Sequence, residues 1–335
     1  MMTSERRKVW MVGGLFLLAL AVLLFAPSAG PKLLGPDAIL LRPGAGMDGD
    51  IYWNIRVPRV LAAGLVGAAL ALAGMAFQAM FRNPLATPYT LGVSAGASLG
   101  AALYISLGLA FSVVGVSGVS LFALAGAGLS ILLVYGLARA ARGVSTATLL
   151  LAGVAVSFFF SSLILFLQYI SDFTQSYRIV RWLMGELAVA GLKPVLDVLP
   201  FAVSGSAVIL YLTHELNLLT LGDDVAASRG VAVERTKGAL YFAASLMVGG
   251  VVAICGPIGF VGMMAPHICR LLVGADHKYL APATLLFGAA FLTLCDTLAR
   301  TIIAPAEIPV GVITAILGGP FFLWLLLRGA HRQEL

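Results

Sequence analysis

Apolar stretches long enough to cross a lipid bilayer recur from one end of this chain to the other. A helix needs about 20 apolar residues to span the hydrocarbon. Ten stretches qualify, at roughly 9–26, 58–80, 91–110, 113–138, 147–170, 195–213, 238–256, 258–274, 280–298 and 308–327. Lipid cannot hydrogen-bond backbone N–H and C=O groups, so spans must be helices or a closed barrel. Barrel strands would be about ten residues long and alternate in polarity; these stretches are continuously apolar. The expectation is an all-α membrane protein with ten transmembrane helices, one polytopic domain over residues 1–335. Composition agrees: 60% of residues are hydrophobic and 11% charged, against about half and about a quarter in soluble domains.

Two spans need comment. The run from Val9 to Ala26 follows a basic start but exceeds a signal peptide's apolar core of about 7–15 residues, so it is expected to remain as a first span. The eighth contains Pro257, Gly259, Gly262, Pro266 and His267, which predicts a short or broken helix. Such breaks are tolerated where the backbone is buried in protein or faces a cavity.

The net charge of +6 reads as membrane topology rather than nucleic-acid binding, because the basic residues sit in short loops. With both termini in the cytoplasm, the inside set is Arg6, Arg7, Lys8, Arg82, Arg139, Arg142, Arg229, Arg235, Lys237, Arg270, Lys278, Arg328 and Arg332. The outside set is Lys32, Arg42, Arg56, Arg59, Arg178, Arg181, Lys193 and Arg300, giving thirteen against eight. Cys255, Cys269 and Cys295 have no CxxC partner or spaced histidine and read as buried thiols. No metal site is expected.

One stretch departs from this apolar background. "TLGDDVAASRGVAVERTK", residues 220–237, holds Asp223, Asp224, Arg229, Glu234, Arg235 and Lys237, with Glu215 upstream. Gly222 and Gly230 bracket a helix of about 12 Å that is too short to stand alone. Asp223 and Asp224 suit its positive end and its free N–H groups, and Arg229 its negative end. Ala226, Ala227 and Ser228 leave room for another backbone to approach. By physics alone this is either a docking element or a solvated loop helix held by the bundle. No lysine follows a glycine, so the chain lacks the P-loop that cradles nucleotide phosphates. If ATP drives this protein, another chain binds it.

The chain resembles the FecCD-type permeases of ATP-binding-cassette importers, membrane subunits for iron–siderophore, haem and cobalamin uptake. The stretches that carry this are "RVPRVLAAGLVGAALALAGMAFQAMFRNPLATPYTLGVSAGASLGA", "TLLLAGVAVS", "WLMGEL", "LNLLTLGDDVAASRGV", "GPIGFVGMMAPHICRLLVGADHKYLAP", "CDTLAR" and "EIPVGVITAILGGPFFLWLLLR". They run from about residue 56 to 328. The resemblance implies a type II importer permease fold with a homodimeric pathway, in a bacterial or archaeal inner membrane. It implies two ATPase subunits, which carry ATP and Mg, and a periplasmic or extracellular substrate-binding protein. No cofactor is expected on this chain.

The resemblance also assigns residues. Segment 214–237 becomes the ATPase-coupling segment, with Gly222, Asp223, Asp224, Ala226, Ala227, Arg229 and Gly230 at its centre. "RNPLATP" and "VSTATL" read physically as turn and cap chemistry; by resemblance they form a cytoplasmic gate through Asn83, Leu85, Ser145 and Thr146. Arg56, Arg59 and Arg300 read as snorkelling anchors or local pairs, such as Asp296 with Arg300, or by resemblance as docking points for the binding protein. "SDFTQSYRIVRWLMGELAVAG" places Ile179, Trp182, Leu183 and Leu187 near one face, an interfacial helix or, by resemblance, a lining of the outer mouth. His267 reads as a packing residue. The expected cargo is a ferric siderophore or haem, with cobalamin the alternative. A secondary transporter driven by an ion gradient is the rival, and a receptor or scaffold without flux a third reading.

Overall fold

The computed structural model describes residues 4–32, 34, 46–141, 145–187 and 191–330. Arg42, Arg142 and Arg332, used above for orientation, lie outside the described residues, as does the Arg328 side chain. In chain order the helices are α1 (Ser4–Phe25), α2 (Val57–Phe81), α3 (Val93–Ser106), α4 (Gly118–Ala140), α5 (Thr146–Ile170), α6 (Phe173–Leu183), α7 (Lys193–Tyr211), α8 (Thr213–Leu221), α9 (Asp223–Ser228), α10 (Val233–Cys255), α11 (Val261–Val273), α12 (His277–Ala299) and α13 (Val310–Ala330). A turn of helix, Met47–Asp50, and a π-helical turn, Ile51–Arg56, lead directly into α2. Among the described residues, seven helices are long and apolar enough to cross a membrane: α1, α2, α4, α5, α7, α10 and α12. The apolar runs of α3, α11 and α13 are shorter.

Local chemistry sets the boundaries. α2 ends where Arg82 adopts a left-handed conformation (φ 50°) ahead of Asn83-Pro84, since proline cannot continue the helix. α5 starts at a capping box in which Ser145 and Thr148 each satisfy the other's free N–H. Asp172 and Gln175 do the same for α6. The third span is shorter than its 91–110 apolar run suggests. A 3-10 turn, Pro88–Leu91, and left-handed Gly92 (φ 80°) delay α3, leaving 14 residues. The eighth span is indeed short, with 13 residues in α11. The chain before it is broken by left-handed Gly256 and Phe260, both at φ 67°. A two-stranded hairpin, Ser112–Val113 with Val116–Ser117, precedes α4; nothing in the apolar pattern anticipates it.

α2 is the axis of the bundle. Almost every residue from Pro58 to Phe81 is buried, while α1 turns most of its surface outward. α2 approaches its neighbours through glycines. A methyl group on Gly67 would overlap the Gly288 carbonyl of α12, and one on Gly74 the Gly262 carbonyl of α11. Gly96 and Gly126 meet in the same way between α3 and α4. Small residues at crossings let helices touch backbone to backbone, which is how helices associate where lipid removes the hydrophobic driving force.

Gly74→Ala is therefore expected to destabilise by about 1–3 kcal/mol or more, the usual cost of overpacking. Gly128→Ala, whose added carbon meets nothing within 4 Å, should be neutral. Thermal unfolding of the two variants in detergent checks the difference.

Candidate functional site

The polar segment forms two helices. α8 and α9 meet at Gly222, whose φ of 124° is strained for any side chain. Left-handed Gly230 (φ 86°) ends the unit. α9 is six residues long, about 9 Å and shorter than the expected 222–230. One of the three expected surface residues faces inward. Ala226 is buried and seats α9 on the bundle. Asp223 does not cap the helix, which has no side-chain cap; its carboxylate is drawn instead to Lys237 at 2.6 Å. The exposed face presents Asp224, Val225, Ala227, Ser228, Arg229 and Gly230.

α8 is anchored separately. Asn217 donates to Asp276 at 2.9 Å and accepts the His277 backbone N–H at 2.9 Å. Asp276 in turn caps α12 through the Lys278 N–H. Burial would raise the Asp276 carboxyl, but the hydrogen bonds from Asn217 and Lys278 and the nearby Lys8 hold it below its usual range. A carboxylate held low contributes its stability above the unfolded value and loses it on acidification. This anchor should loosen as pH falls through about 4 and below.

The four expected gate residues sit on two turns at the same end. Asn83 follows the left-handed cap of α2 and accepts the Leu85 N–H at 2.9 Å; Leu85 is 49% exposed. Ser145 caps α5 and Thr146 is its first residue. Their polar groups serve the turns, and both turns reach the polar segment. Thr146 Oγ1 lies 3.4 Å from Lys237 Nζ, and Arg82 Nη2 lies 3.7 Å from Asp223 Oδ1.

Sequence reasoning missed a groove. Tyr89, Leu183 and Pro257 line two adjoining clefts of about 450 and 590 Å³. One wall carries Ser94 and Ser98 of α3 and Ser157, Ser161 and Gln168 of α5. The other carries Phe260, Gly311 and Ile316. Among the described residues no charged side chain lines either cleft. The signal was present as hydroxyls spaced four apart in apolar helices, which puts each pair on one face. Tyr89 closes the groove floor: its hydroxyl donates to the Ile258 carbonyl and accepts the Ile258 N–H, spanning the break before α11. The end of α6 is fixed by backbone bonds, Glu186 N–H to Cys255 O at 2.8 Å and Gly311 N–H to Gly185 O at 3.2 Å.

The three arginines expected as a docking rim are brought together but turned inward, at 5%, 8% and 2% exposure for Arg56, Arg59 and Arg300. Arg59 holds Asp296 through two nitrogens, with Nε 3.0 Å and Nη2 2.9 Å from Oδ1. Its remaining nitrogen meets Glu307 at 2.7 Å. Arg300, the expected partner of Asp296, is secondary at 3.7 Å; it donates to the Ala26 carbonyl at 2.8 Å. Arg56 donates to the carbonyls of Pro27, Ser28 and Lys32. Two of the three thus cap the end of the first span. His267 packs edge-on against Phe321. The three cysteines are free and buried. Among the described residues no cluster of His, Cys, Asp or Glu could hold a metal.

Comparison with known proteins gives consistent results. The model of the FecCD transport family matches residues 15–328. The hemin transport system permease protein HmuU of Yersinia pestis is 40% identical over 95% of this chain and 96% of its own length. The vitamin B12 import system permease protein BtuC of Salmonella paratyphi A is 38% identical over 98% of each. A solved structure described as an inward-facing conformation of a metal-chelate type ABC transporter superposes with a TM-score of 0.83 at 34% identity, covering 96% of this chain and 99% of that one.

Removing one partner of a buried ion pair leaves the other charge uncompensated, at about 3–5 kcal/mol. Asp296→Asn should therefore lower thermal stability sharply, because it leaves Arg59 with Glu307 alone and takes from Arg300 its nearest carboxylate. Glu307→Gln, whose side chain is 40% exposed, should cost less. Melting of both variants in detergent tests the ranking.

Proposed function

The chain belongs to the FecCD transport family, and from that premise we propose that it is the transmembrane permease subunit of an ATP-driven importer for an iron chelate, a ferric siderophore or haem. Cobalamin is the second cargo reading, and the relatives include permeases of both kinds. The observation that carries the proposal is α9: a short helix between left-handed glycines, seated by Ala226, with a small polar face left open at one end of the bundle.

In this reading the chain is a single domain of ten transmembrane helices with the type II fold. It sits in a bacterial or archaeal inner membrane with both termini cytoplasmic. The seven long spans, the three shorter apolar helices and the thirteen-to-eight distribution of basic residues support this. Two copies face each other across the groove, whose uncharged walls bind weakly and therefore release. Two separate ATPase subunits bind ATP and Mg, engage segment 214–237 through Gly222, Asp224, Ala227, Arg229 and Gly230, and move it. Asp223 and Ala226 hold that segment to the bundle. Asn83, Leu85, Ser145 and Thr146 close the cytoplasmic end. A binding protein docks at the end bearing Arg56, Arg59 and Arg300. Because these guanidiniums are internally bonded, docking through Arg59 requires an incoming carboxylate to replace Glu307 at the cluster's exposed edge. The permease does no covalent chemistry and binds no cofactor.

Vesicles holding this chain, its ATPase and its binding protein should accumulate one of ferric siderophore, haem or cobalamin, and only with ATP at the ATPase face. Uptake driven instead by a proton or sodium gradient would refute the motor. Gly222→Val and Gly230→Val should each leave ATP hydrolysis largely intact while cutting uptake per ATP about tenfold or more.

A further inference from the structure

Lys237 is four residues into α10 yet its side chain is only 2% exposed. A lysine at a helix end ordinarily extends its ammonium to water, and burying that charge is expensive unless it is paired. Here the ammonium lies where four elements meet. It donates to Asp223 at the start of α9 at 2.6 Å and to Thr146 at the start of α5 at 3.4 Å. The other oxygen of Asp223 faces Arg82, the cap of α2, at 3.7 Å. Arg82 immediately precedes Asn83 and Leu85.

We infer that Lys237 and Asp223 are positioning residues for energy coupling, joining α9 to both turns that carry the gate residues. The inference rests on the permease reading above. Its physical basis is the sign of the charges. Two cations, Lys237 and Arg82, share one carboxylate. Lys237 also faces the first turn of α5, whose helix dipole is positive there. Asp223 is what makes this crowding of positive charge favourable. When α9 shifts and takes Asp223 with it, Lys237 repels both Arg82 and the α5 terminus. The turn after α2 and the turn before α5 are then pushed apart. A short displacement of α9 becomes an opening force on both gate turns. An apolar side chain of the same length would leave Ala226 to seat α9 and would transmit no such force.

The test uses the full complex and, separately, the purified permease. Lys237→Met and Asp223→Asn should each lower cargo uptake per ATP hydrolysed by about tenfold. Lys237→Arg, which keeps the cation, should restore most of it. Spin labels at Leu85 in the two copies should change separation with ATP in wild type and in Lys237→Arg, but not in Lys237→Met. In the permease alone, amide hydrogen exchange at Asn83, Leu85, Ala86 and residues 146–149 should rise in Lys237→Met and Asp223→Asn. Normal coupled uptake in Lys237→Met overturns the inference, as does lost uptake with an unchanged Leu85 response. A wild-type complex without ATP-dependent uptake refutes the permease reading instead. If Lys237→Met does not fold, Arg82→Gln tests the same junction from its exposed side.

Discussion

Lipid offers no hydrogen bonds, and at three described places where this chain stops being helical another part of the chain answers it. The break before α11 is spanned by Tyr89, whose hydroxyl both donates to and accepts from Ile258. The end of α6 is sewn to α10 and α13 by Glu186 and Gly311. The open carbonyls at the end of α1 are met by Arg56 and Arg300. These irregular points border the groove or the bundle ends, where a moving permease needs shape rather than uninterrupted helix. The structure satisfies its backbone first and shapes its cavity from what remains.

Charge is distributed on the same principle. Toward the end where α1 finishes, Arg59, Asp296, Arg300 and Glu307 form a nearly neutral cluster. Toward the end where α9 lies, Lys237, Asp223 and Arg82 form a smaller one with an excess of positive charge. Between them the groove is lined by hydroxyl, amide, aromatic and aliphatic groups.

The helical class was legible because bilayer thickness demands long apolar runs, and those runs stand out in any window. One cap was legible too: Ser145 sits where short-range chemistry puts it. Contacts between distant residues were not. Arg59 and Asp296 are 237 positions apart, so Arg300, four residues from Asp296, looked like its natural partner. Anchors, local pairs and docking points all stayed open for the three arginines, because nothing in the sequence reveals that the carbonyls closing α1 lie beside them. Asp223 looked like a helix cap until α10 brought Lys237 against it. The serines of the groove carried a readable spacing that apolar periodicity overshadowed. The roles of segment 214–237 and of the gate turns came from resemblance to a family, since their local chemistry fits ordinary caps and loops equally well.

The glycine crossings of α2 have a mechanical meaning. At Gly67 and Gly74 no side chain separates α2 from the backbones of α12 and α11. Soft contacts can slide by changing rotamers, but carbonyls in direct contact cannot, and close-packed interiors deform little. These three helices therefore behave as one solid block. Whatever motion the protomer undergoes must take place around that block, as a rotation of less tightly joined elements such as α5 and α13, or as a displacement of the block entire.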